Sequence, residues 1–326
     1  MKFLAKTGVL FEDFLGIEGF DIYWYGLLIA TGFLLAFFVT NFFCKKRGYK
    51  NDLTTDMLII CIIGAVVGAR LYYVIFSWSD FYVKGNFWAT MENIVNIRQG
   101  GLAIYGGIIG SILGLSIYSK VKKMNLVSLL DVCAPSLALG QAIGRWGNFF
   151  NQEAHGALVE NPDLQFFPYA VYLDSPKGSE PVGWYQATFF YESVWCLLIC
   201  LFLILYRKRQ RFSGELTAWY FVLYGLERSL VELLRTDQLW IPSTQIPVSS
   251  VLSVVLLICA AIYLIINYRK VKKGELFPVT PGSKFYVPQP LEEIPPTSLS
   301  ETEPEVIAAE EIHDKNANDH DDEDIL

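Results

Sequence analysis

The sequence predicts an all-α polytopic membrane protein with seven transmembrane helices. Of the 326 residues, 53% are hydrophobic and only 18% are charged, whereas a soluble domain carries about a quarter charged residues. The apolar residues also fall into blocks of roughly 20, the length of helix that crosses a ~30 Å hydrocarbon core. Only a helix satisfies its own backbone hydrogen bonds in such a segment.

The seven predicted spans differ in strength. Their ranges are Tyr23–Phe43, Met57–Phe76, Leu102–Tyr118, Leu126–Ile143, Ala187–Tyr206, Glu215–Leu234 and Ile246–Tyr268. The third is short and rich in glycine. The fourth contains Asp131 and Pro135, and the sixth contains Glu227, Arg228 and Glu232, so both have a weakened hydropathy signal.

Basic residues alternate between the connections and so set the direction of the chain. Clusters of lysine and arginine follow spans one, three, five and seven, beginning at Lys45, Lys120, Arg207 and Arg269. The other connections hold few basic residues. This pattern predicts an outer N-terminus and a cytoplasmic C-terminus, with long outer-face loops between spans two and three and between spans four and five.

The chain divides into a membrane domain, residues 1–274, and an acidic tail, residues 275–326. The tail is rich in proline and carboxylates and cannot bury a core, so we expect it to be disordered in the cytoplasm. It holds a large share of the acidic residues, and the rest of the chain without it is slightly basic. The basic residues lie in short clusters at the ends of apolar runs, so no nucleic-acid partner is predicted. The six cysteines lie in or beside apolar runs without CxxC spacing, so neither a disulfide frame nor a metal site is predicted.

Charged residues inside the spans gather at the predicted outer side, with Asp131 as the exception. Arg70, Arg145 and Arg228 fall at one depth, although a charge in a span costs at least ~2.5 kcal/mol. Glutamates at the same depth offset part of their charge: Glu153, Glu192, Glu227 and Glu232. A phosphate would offset the rest. The pattern predicts a site for an anionic amphiphile such as a phospholipid, open to the outer leaflet.

Structural roles for these residues, and other classes of membrane protein, are also consistent with the pattern. Arg228 and Glu232 have the spacing of a structural ion pair on one helix face. Arg70 is equally consistent with a structural pair, and Tyr25 with an aromatic belt at the membrane interface. At the level of the whole protein, a transporter or a non-catalytic lipid-binding protein would also bury arginines. No internal repeat is evident, which weakens the transporter interpretation.

The stretch GRWGNFFNQEAHG resembles the signature of the phosphatidylglycerol–prolipoprotein diacylglyceryl transferase family. The matching positions are Gly144, Arg145, Gly147, Asn148, Phe149, Asn151, Glu153 and Gly156. Other stretches resemble motifs of the same family: YGLLIATGF from Tyr25, GARLYYV from Gly68, QGGLAIYGG from Gln99, TFFYES from Thr188 and YGLERSLVELLRTDQ from Tyr224. The resemblance covers most of the chain and leaves out the tail.

This resemblance implies a multi-pass enzyme of the bacterial plasma membrane with its active site toward the outer face. The implied reaction moves the diacylglyceryl group of phosphatidylglycerol onto the lipobox cysteine of a prolipoprotein, forming a thioether and releasing glycerol phosphate. The implied partners are phosphatidylglycerol, prolipoprotein signal peptides and membrane lipids. No metal, nucleotide or other cofactor is implied.

By resemblance, Arg145 matches the family's phospholipid-binding arginine and Arg228 its second essential arginine. Combined with the placement of charges, this predicts Arg145, Arg228 and Glu232 as catalytic residues. The predicted substrate-binding residues are Tyr25, Arg70, Tyr105, Asn148, Asn151, Glu153, Gly156 and Tyr224. Many members carry histidine at the positions of Tyr105 and Gln186, so the identity of the general base stays open here.

Overall fold

The computed structural model describes residues 8–18, 21–50, 52–97, 100–174, 176, 180–236 and 247–275. The described residues form a bundle of helices with two small hairpins. Except for Glu275, the predicted acidic tail lies outside the described residues. So do Gln99 and residues 237 and 238, which belong to two of the motifs quoted above.

Helices make up most of the described chain. They are α1 (Trp24–Lys46), α2 (Leu53–Phe76), α3 (Trp78–Phe81), α4 (Phe87–Val95), α5 (Ile104–Val121), α6 (Leu126–Phe150), α7 (Thr188–Tyr206), α8 (Glu215–Val231) and α9 (Val248–Lys272). Short 3₁₀ turns occur at Phe14–Gly16, Pro162–Leu164 and Arg207–Arg209. The short helices α3 and α4 lie in the connection between α2 and α5.

Two antiparallel hairpins that the sequence did not predict flank the helices. Strand β1 (Val9–Phe11) pairs with β2 (Ile22–Tyr23) directly before α1. Strand β3 (Ala170–Leu173) pairs with β4 (Gly183–Gln186) within the connection between α6 and α7. The second of the long predicted loops is therefore partly folded.

The described residues include six helices long and apolar enough to cross a membrane, namely α1, α2, α5, α6, α7 with its following turn, and α9. Large apolar side chains cover their outer faces, as at Phe38, Ile63 and Leu205, which are 56%, 59% and 67% exposed. Such a surface suits lipid tails and would be unstable in water. The prediction of an all-α polytopic membrane protein is confirmed. The predicted sixth span is α8, with 17 residues, so the count of seven spans stays a prediction.

A close-packed apolar core occupies one end of the bundle. It joins the end of α1, the start of α6, the end of α7 and the start of α8 through Phe43, Leu129, Leu203 and Leu216, all fully buried. Burying each such side chain contributes about 1.5–3 kcal/mol. The arginines of α6 and α8 lie at the other end of the same helices, which leaves that end free to form a polar site.

A buried polar network reinforces the core end and explains Asp131, whose role the sequence left open. The Asp131 carboxylate accepts hydrogen bonds from Gln210 Nε2 and Gly214 N, each at 2.6 Å, and from Thr217 N and Oγ1, each at 2.9 Å. Arg47 lies 4.0 Å away and donates to Gln210 Oε1 at 2.6 Å. The network fixes the connection between α7 and α8 onto α1 and α6.

Helices α2 and α5 pack backbone to backbone through glycines at spacings of four. Gly64 and Gly68 of α2 face Gly106 and Gly110 of α5. A Cβ added to Gly64 would lie 2.6 Å from the carbonyl oxygen of Gly110, and one added to Gly68 would collide with that of Gly106. Small residues at this spacing let two helices approach closely in a membrane.

Helix α6 runs two turns beyond the predicted end of the fourth span at Ile143. The first half of the signature stretch, to Phe150, is therefore helical, and the expectation that the loop starts at residue 144 is wrong. Contacts with α7 stabilise the extension: Trp146 Nε1 donates to Ser193 Oγ at 3.1 Å, and the Phe149 ring stacks on Phe189 at 4.8 Å. These contacts offset the low helix propensity of glycine.

Candidate active site

Arg145 and Arg228, which lie far apart in the sequence, meet at one buried carboxylate. Glu192 of α7 is fully buried, and its Oε2 lies 2.7 Å from Arg145 Nη2 and 3.2 Å from Arg228 Nη1. Arg145 projects from the last turns of α6, and Arg228 from the last turn of α8. A single carboxylate thus holds the guanidinium groups of two helices side by side.

A second carboxylate fixes Arg228 from its own helix. Glu232, one turn further along the chain and 2% exposed, places Oε2 2.7 Å from Arg228 Nη2. Its other oxygen accepts a hydrogen bond from Ser249 Oγ at the start of α9. Arg228 therefore has two anionic partners that fix the orientation of its guanidinium plane.

Both arginines keep N–H groups available for a ligand. Their side chains are 16% and 15% exposed. Among the described residues, Arg145 pairs with Glu192 alone, through one of its five N–H groups. An oxyanion that approached from the open side would meet unused donors on a planar fork, the geometry that suits carboxylates and phosphates.

Arg70, the third arginine predicted for the site, is occupied differently. Its five N–H groups all donate to backbone carbonyl oxygens at 2.7–2.9 Å. The acceptors are Asn93, Ile94, Asn96, Gly100 and Gly101. Three of them lie at the C-terminal end of α4, where a cation also complements the helix dipole. The Arg70 guanidinium carbon also lies 4.8 Å from the centre of the Phe81 ring. This geometry favours a structural role over the predicted contact with substrate.

The second half of the signature stretch is a tight turn built around Glu153. Its Oε1 accepts hydrogen bonds from Asn148 Nδ2 at 3.3 Å and Asn151 Nδ2 at 3.1 Å. Gln152 and Ala154 adopt left-handed backbone conformations, with φ of 52° and 57°. The three polar side chains of this stretch predicted to bind substrate are thus brought together, with Glu153 orienting both amides.

Gly156 brings the end of the signature stretch against the end of α8. It forms an antiparallel bridge with Arg235, and its N–H donates to the carbonyl of Gln186 at 3.1 Å. An added Cβ would lie 2.8 Å from Gln186 Cβ and 3.0 Å from the carbonyl oxygen of Leu234. A glycine is therefore required at this close approach of three chain segments.

The predicted tyrosines occupy different positions. Tyr224 stacks on Tyr220 at 5.6 Å and lies within electrostatic range of both site arginines. Tyr25 packs its ring against Gly147 of the signature helix and is 40% exposed. Tyr105, at the start of α5, is 39% exposed. Tyr224 and Tyr25 thus adjoin the arginines or the signature helix, while Tyr105 faces the surface.

Two glutamates near the arginines were noticed in the sequence as neutralising charges but were not predicted as site residues. Glu192 is the shared carboxylate described above, and Glu227 is 2% exposed beside Arg228. The feature that marks them in the sequence is a carboxylate within an otherwise apolar span. A charge in a span is costly, so such a residue usually has a role. Nothing in the sequence indicated that Glu192 pairs with two arginines at once.

His155, the only histidine before the acidic tail, is directed toward the second hairpin. It is 7% exposed, with Nδ1 3.7 Å from Glu180 Oε2 and its ring 4.4 Å from that of Tyr185. Burial, with Glu180 adding to it, raises the pKa of Tyr185. These contacts tie the signature turn to β4, so His155 has a structural environment.

Comparison with known proteins identifies the family. The sequence profile described as "prolipoprotein diacylglyceryl transferase" matches residues 13–266, which include every residue of the arginine site. The chain belongs to the prolipoprotein diacylglyceryl transferase family. It is therefore a transferase of lipoprotein biosynthesis, and the family resemblance stated from the sequence is confirmed.

Relatives of the family share about two residues in five with this chain. A phosphatidylglycerol–prolipoprotein diacylglyceryl transferase 1 of Clostridium perfringens is 39% identical over 79% of this chain and 96% of its own length. Enzymes of the same name, without the number, from Clostridium botulinum and Finegoldia magna are 42% and 40% identical over 77% and 78% of this chain. Each is covered over 94% of its length.

Proposed function

We propose that this chain transfers the diacylglyceryl group of phosphatidylglycerol to the lipobox cysteine of prolipoproteins, and that the reaction takes place at Arg145 and Arg228. The names of its relatives and its family supply the reaction. The observation that supports the location is the pair of arginines on one buried carboxylate with N–H groups left for a ligand. This is the first step of lipoprotein maturation.

The two arginines bind the lipid phosphate and stabilise the leaving group. As the bond between the diacylglyceryl carbon and the phosphate oxygen breaks, negative charge grows on the phosphate of the departing glycerol phosphate. Donors already aimed at that charge in a site with little water lower the barrier most. Glu192 and Glu232 hold the guanidinium groups in place, which limits the reorganisation needed during the reaction.

The same positive charge activates the nucleophile. A free cysteine thiol has a pKa of about 8.5, and nearby guanidinium groups favour its thiolate. The thiolate then attacks the glyceryl carbon, forms the thioether and displaces glycerol phosphate. Since Tyr105 and Gln186 occupy positions where many relatives carry histidine, this chain performs the step without a histidine at either position.

Of the other predicted residues, four line the approach to the arginines: Tyr25, Asn148, Asn151 and Tyr224. Asn148 and Asn151, oriented by Glu153, present amide groups to the headgroup. Tyr25 and Tyr224 contribute aromatic surface beside the signature helix and the arginines. Tyr105 meets lipid at the bilayer interface. Gly156 keeps the turn close to the end of α8.

The protein crosses the bacterial plasma membrane seven times, with α8 as the sixth span and the arginines toward the outer face. The alternation of basic clusters supports this orientation, because the clusters after α1, α5, α7 and α9 all fall on one side. The α8 helix supplies Arg228 and packs against α6, α7 and α9. The signal peptide of a prolipoprotein would meet the arginines from the outer side.

The test is an in vitro transfer assay with purified protein in detergent, phosphatidylglycerol and a lipobox peptide. Mass spectrometry detects the diacylglyceryl adduct on the peptide cysteine, with Arg145→Ala, Arg228→Ala and Arg209→Ala measured in parallel. We expect the adduct with the wild type and with Arg209→Ala, whose side chain is exposed at the far end of α7. We expect none with the two site variants. An adduct formed equally well by Arg145→Ala would contradict the proposed location.

A further inference from the structure

Glu227 is a buried acid that the mechanism above leaves unused. Its side chain is 2% exposed, and neither carboxyl oxygen has a hydrogen-bond partner among the described residues. Buried polar groups are nearly always hydrogen-bonded, so a carboxyl with both oxygens unpaired calls for an explanation. It lies within electrostatic range of Glu192, Arg145 and Arg228, which places it beside the proposed reaction centre.

The groups that face Glu227 come from each helix packed around it. It lies within electrostatic range of Arg145 on α6 and of Glu192 on α7, besides Arg228 and Arg235. The other titratable neighbours are Cys196, Tyr220 and Tyr224. In α9, the first ionisable residue is Cys259, more than one helical turn beyond Ser253.

Charge counting fixes the state of this carboxyl in the lipid-bound site. Arg145 and Arg228 form ion pairs with Glu192 and Glu232, and Arg235 also lies within electrostatic range of Glu227. The phosphate of a bound lipid adds one negative charge, which brings these five side chains and the lipid to no net charge. An ionised Glu227 would add a negative charge that nothing matches, buried and without a hydrogen bond among the described residues, at a cost of several kcal/mol. The lipid-bound site therefore holds Glu227 as the neutral acid.

We propose that Glu227 carries the proton that moves from the incoming cysteine thiol to the departing phosphate. This role rests on the function proposed above. The sulfur–carbon bond forms as the carbon–oxygen bond breaks, and the electron pair of the broken bond stays on the phosphate oxygen. One Glu227 oxygen releases its proton to that phosphate while the other takes the thiol proton.

The exchange balances without a change of net charge in the site. A thiol and a phosphodiester monoanion give a thioether and a singly protonated glycerol phosphate, and Glu227 ends as the acid it was. Two unpaired oxygens on one carboxyl are what such a relay requires, because each must be free to donate or to accept. The Glu227 relay also supplies a proton acceptor in a chain that carries Tyr105 and Gln186 where many relatives carry histidine.

The test measures kcat and KM for phosphatidylglycerol in the transfer assay between pH 6.5 and pH 9. Two variants are compared with the wild type. Glu227→Gln keeps the shape of the side chain but removes the carboxyl group that exchanges protons, and Glu227→Asp keeps a carboxyl group on a shorter side chain. Glu215→Gln serves as the matched control, since Glu215 is a fully buried carboxyl at the opposite end of α8, hydrogen-bonded by Tyr206 and Tyr268. Thermal unfolding of each variant is followed alongside.

We expect Glu227→Gln to lower kcat about 100-fold or more at pH 6.5 with little change in KM, the size of effect that a positioned acid or base gives. The deficit should shrink at least about tenfold by pH 9, because the thiol then ionises without help. Glu227→Asp should fall between wild type and Glu227→Gln. Glu215→Gln should keep the pH dependence of the wild type, whatever its stability.

A deficit of the same size at both pH values would mean that Glu227 is structural and would overturn the proposal. So would a Glu227→Gln rate within about threefold of the wild type at pH 6.5, since a proton relay contributes far more than that. If both the wild type and Glu227→Gln are active at similar rates, the role of Glu227 is refuted but the proposed function stands. A wild type that forms no thioether refutes the proposed function and this role together.

Discussion

At the scale of single residues, the three arginines predicted for the site differ in how many of their N–H groups remain available for a ligand. Arg70 donates all five to backbone carbonyls. Arg145 uses one N–H group on Glu192, and Arg228 is held by Glu192 and Glu232. The sequence places all three at one depth, but hydropathy and spacing cannot tell a donor that is used from one that is available.

Arg145→Lys should lose at least about 100-fold in kcat, although the charge is kept. A lysine presents a point charge and cannot span two phosphate oxygens with a planar fork, and losing one donor to a developing oxyanion costs about 10²–10³ in rate. The transfer assay measures this, with Arg209→Lys on the exposed surface as the matched control. Full activity of Arg145→Lys would show that only charge matters at this position.

Arg70→Gln should destabilise the fold by at least about 2 kcal/mol, because five backbone carbonyl oxygens in a partly buried site lose their charged donor. The folded fraction should keep the KM of the wild type for phosphatidylglycerol. Thermal unfolding in detergent and the transfer assay give the two quantities. A raised KM with unchanged thermal stability would instead support the substrate contact that the sequence predicted for Arg70.

At the scale of helices and strands, the sequence locates elements better than it locates their ends. Apolar blocks predicted the long helices because hydrophobic length is a direct requirement of the bilayer. The extension of α6 to Phe150 was missed, since glycine and asparagine in GRWGNFF favour a loop. Contacts of Trp146 and Phe149 with α7 override that preference, and such contacts become visible only once the helices are packed.

The glycines between α2 and α5 should be intolerant of even one methyl group. At Gly110, an added Cβ would lie 2.9 Å from the carbonyl carbon of Gly64 and 3.0 Å from Gly68 Cα. We expect Gly110→Ala to lower stability by about 1–3 kcal/mol, as overpacking does. Thermal unfolding in detergent provides the measurement.

Gly140→Ala is the matched control for that substitution. Gly140 also lies within a long helix, but an added Cβ would meet no heavy atom within 4 Å. Alanine is the better helix former by up to about 1 kcal/mol, so this variant should match or exceed the stability of the wild type. Equal losses at Gly110 and Gly140 would contradict the role of close packing between α2 and α5.

At the scale of the whole molecule, the two ends of the bundle differ. One end holds the apolar core and the hydrogen-bond network of Asp131, and the other holds Arg145 and Arg228. The sequence predicted that the polar site would collect at one side, because alternating spans brought the charges of different helices to one depth. It could not predict that Glu192 is the meeting point of two arginines, since the pairing depends on how α6, α7 and α8 pack.

The orientation of the bundle can be tested by labelling intact cells. Glu160→Cys, on the connection between α6 and α7, should react with a membrane-impermeant maleimide applied from outside. Lys208→Cys, in the connection between α7 and α8, should react only after the membrane is opened. Both side chains are exposed, and labelling above the wild-type background from the native cysteines is the quantity compared. The reverse pattern would place the arginines at the cytoplasmic face.

The contact between α2 and α5 also limits how a phospholipid reaches the arginines. At the proposed site, the two acyl chains of the phospholipid would pass between helices as its headgroup reached the arginines. With backbone lying on backbone at Gly64, Gly68, Gly106 and Gly110, no hydrocarbon chain fits between this pair. The two helices act as a single wall, so a lipid that entered the proposed site from the side would pass between other members of the bundle.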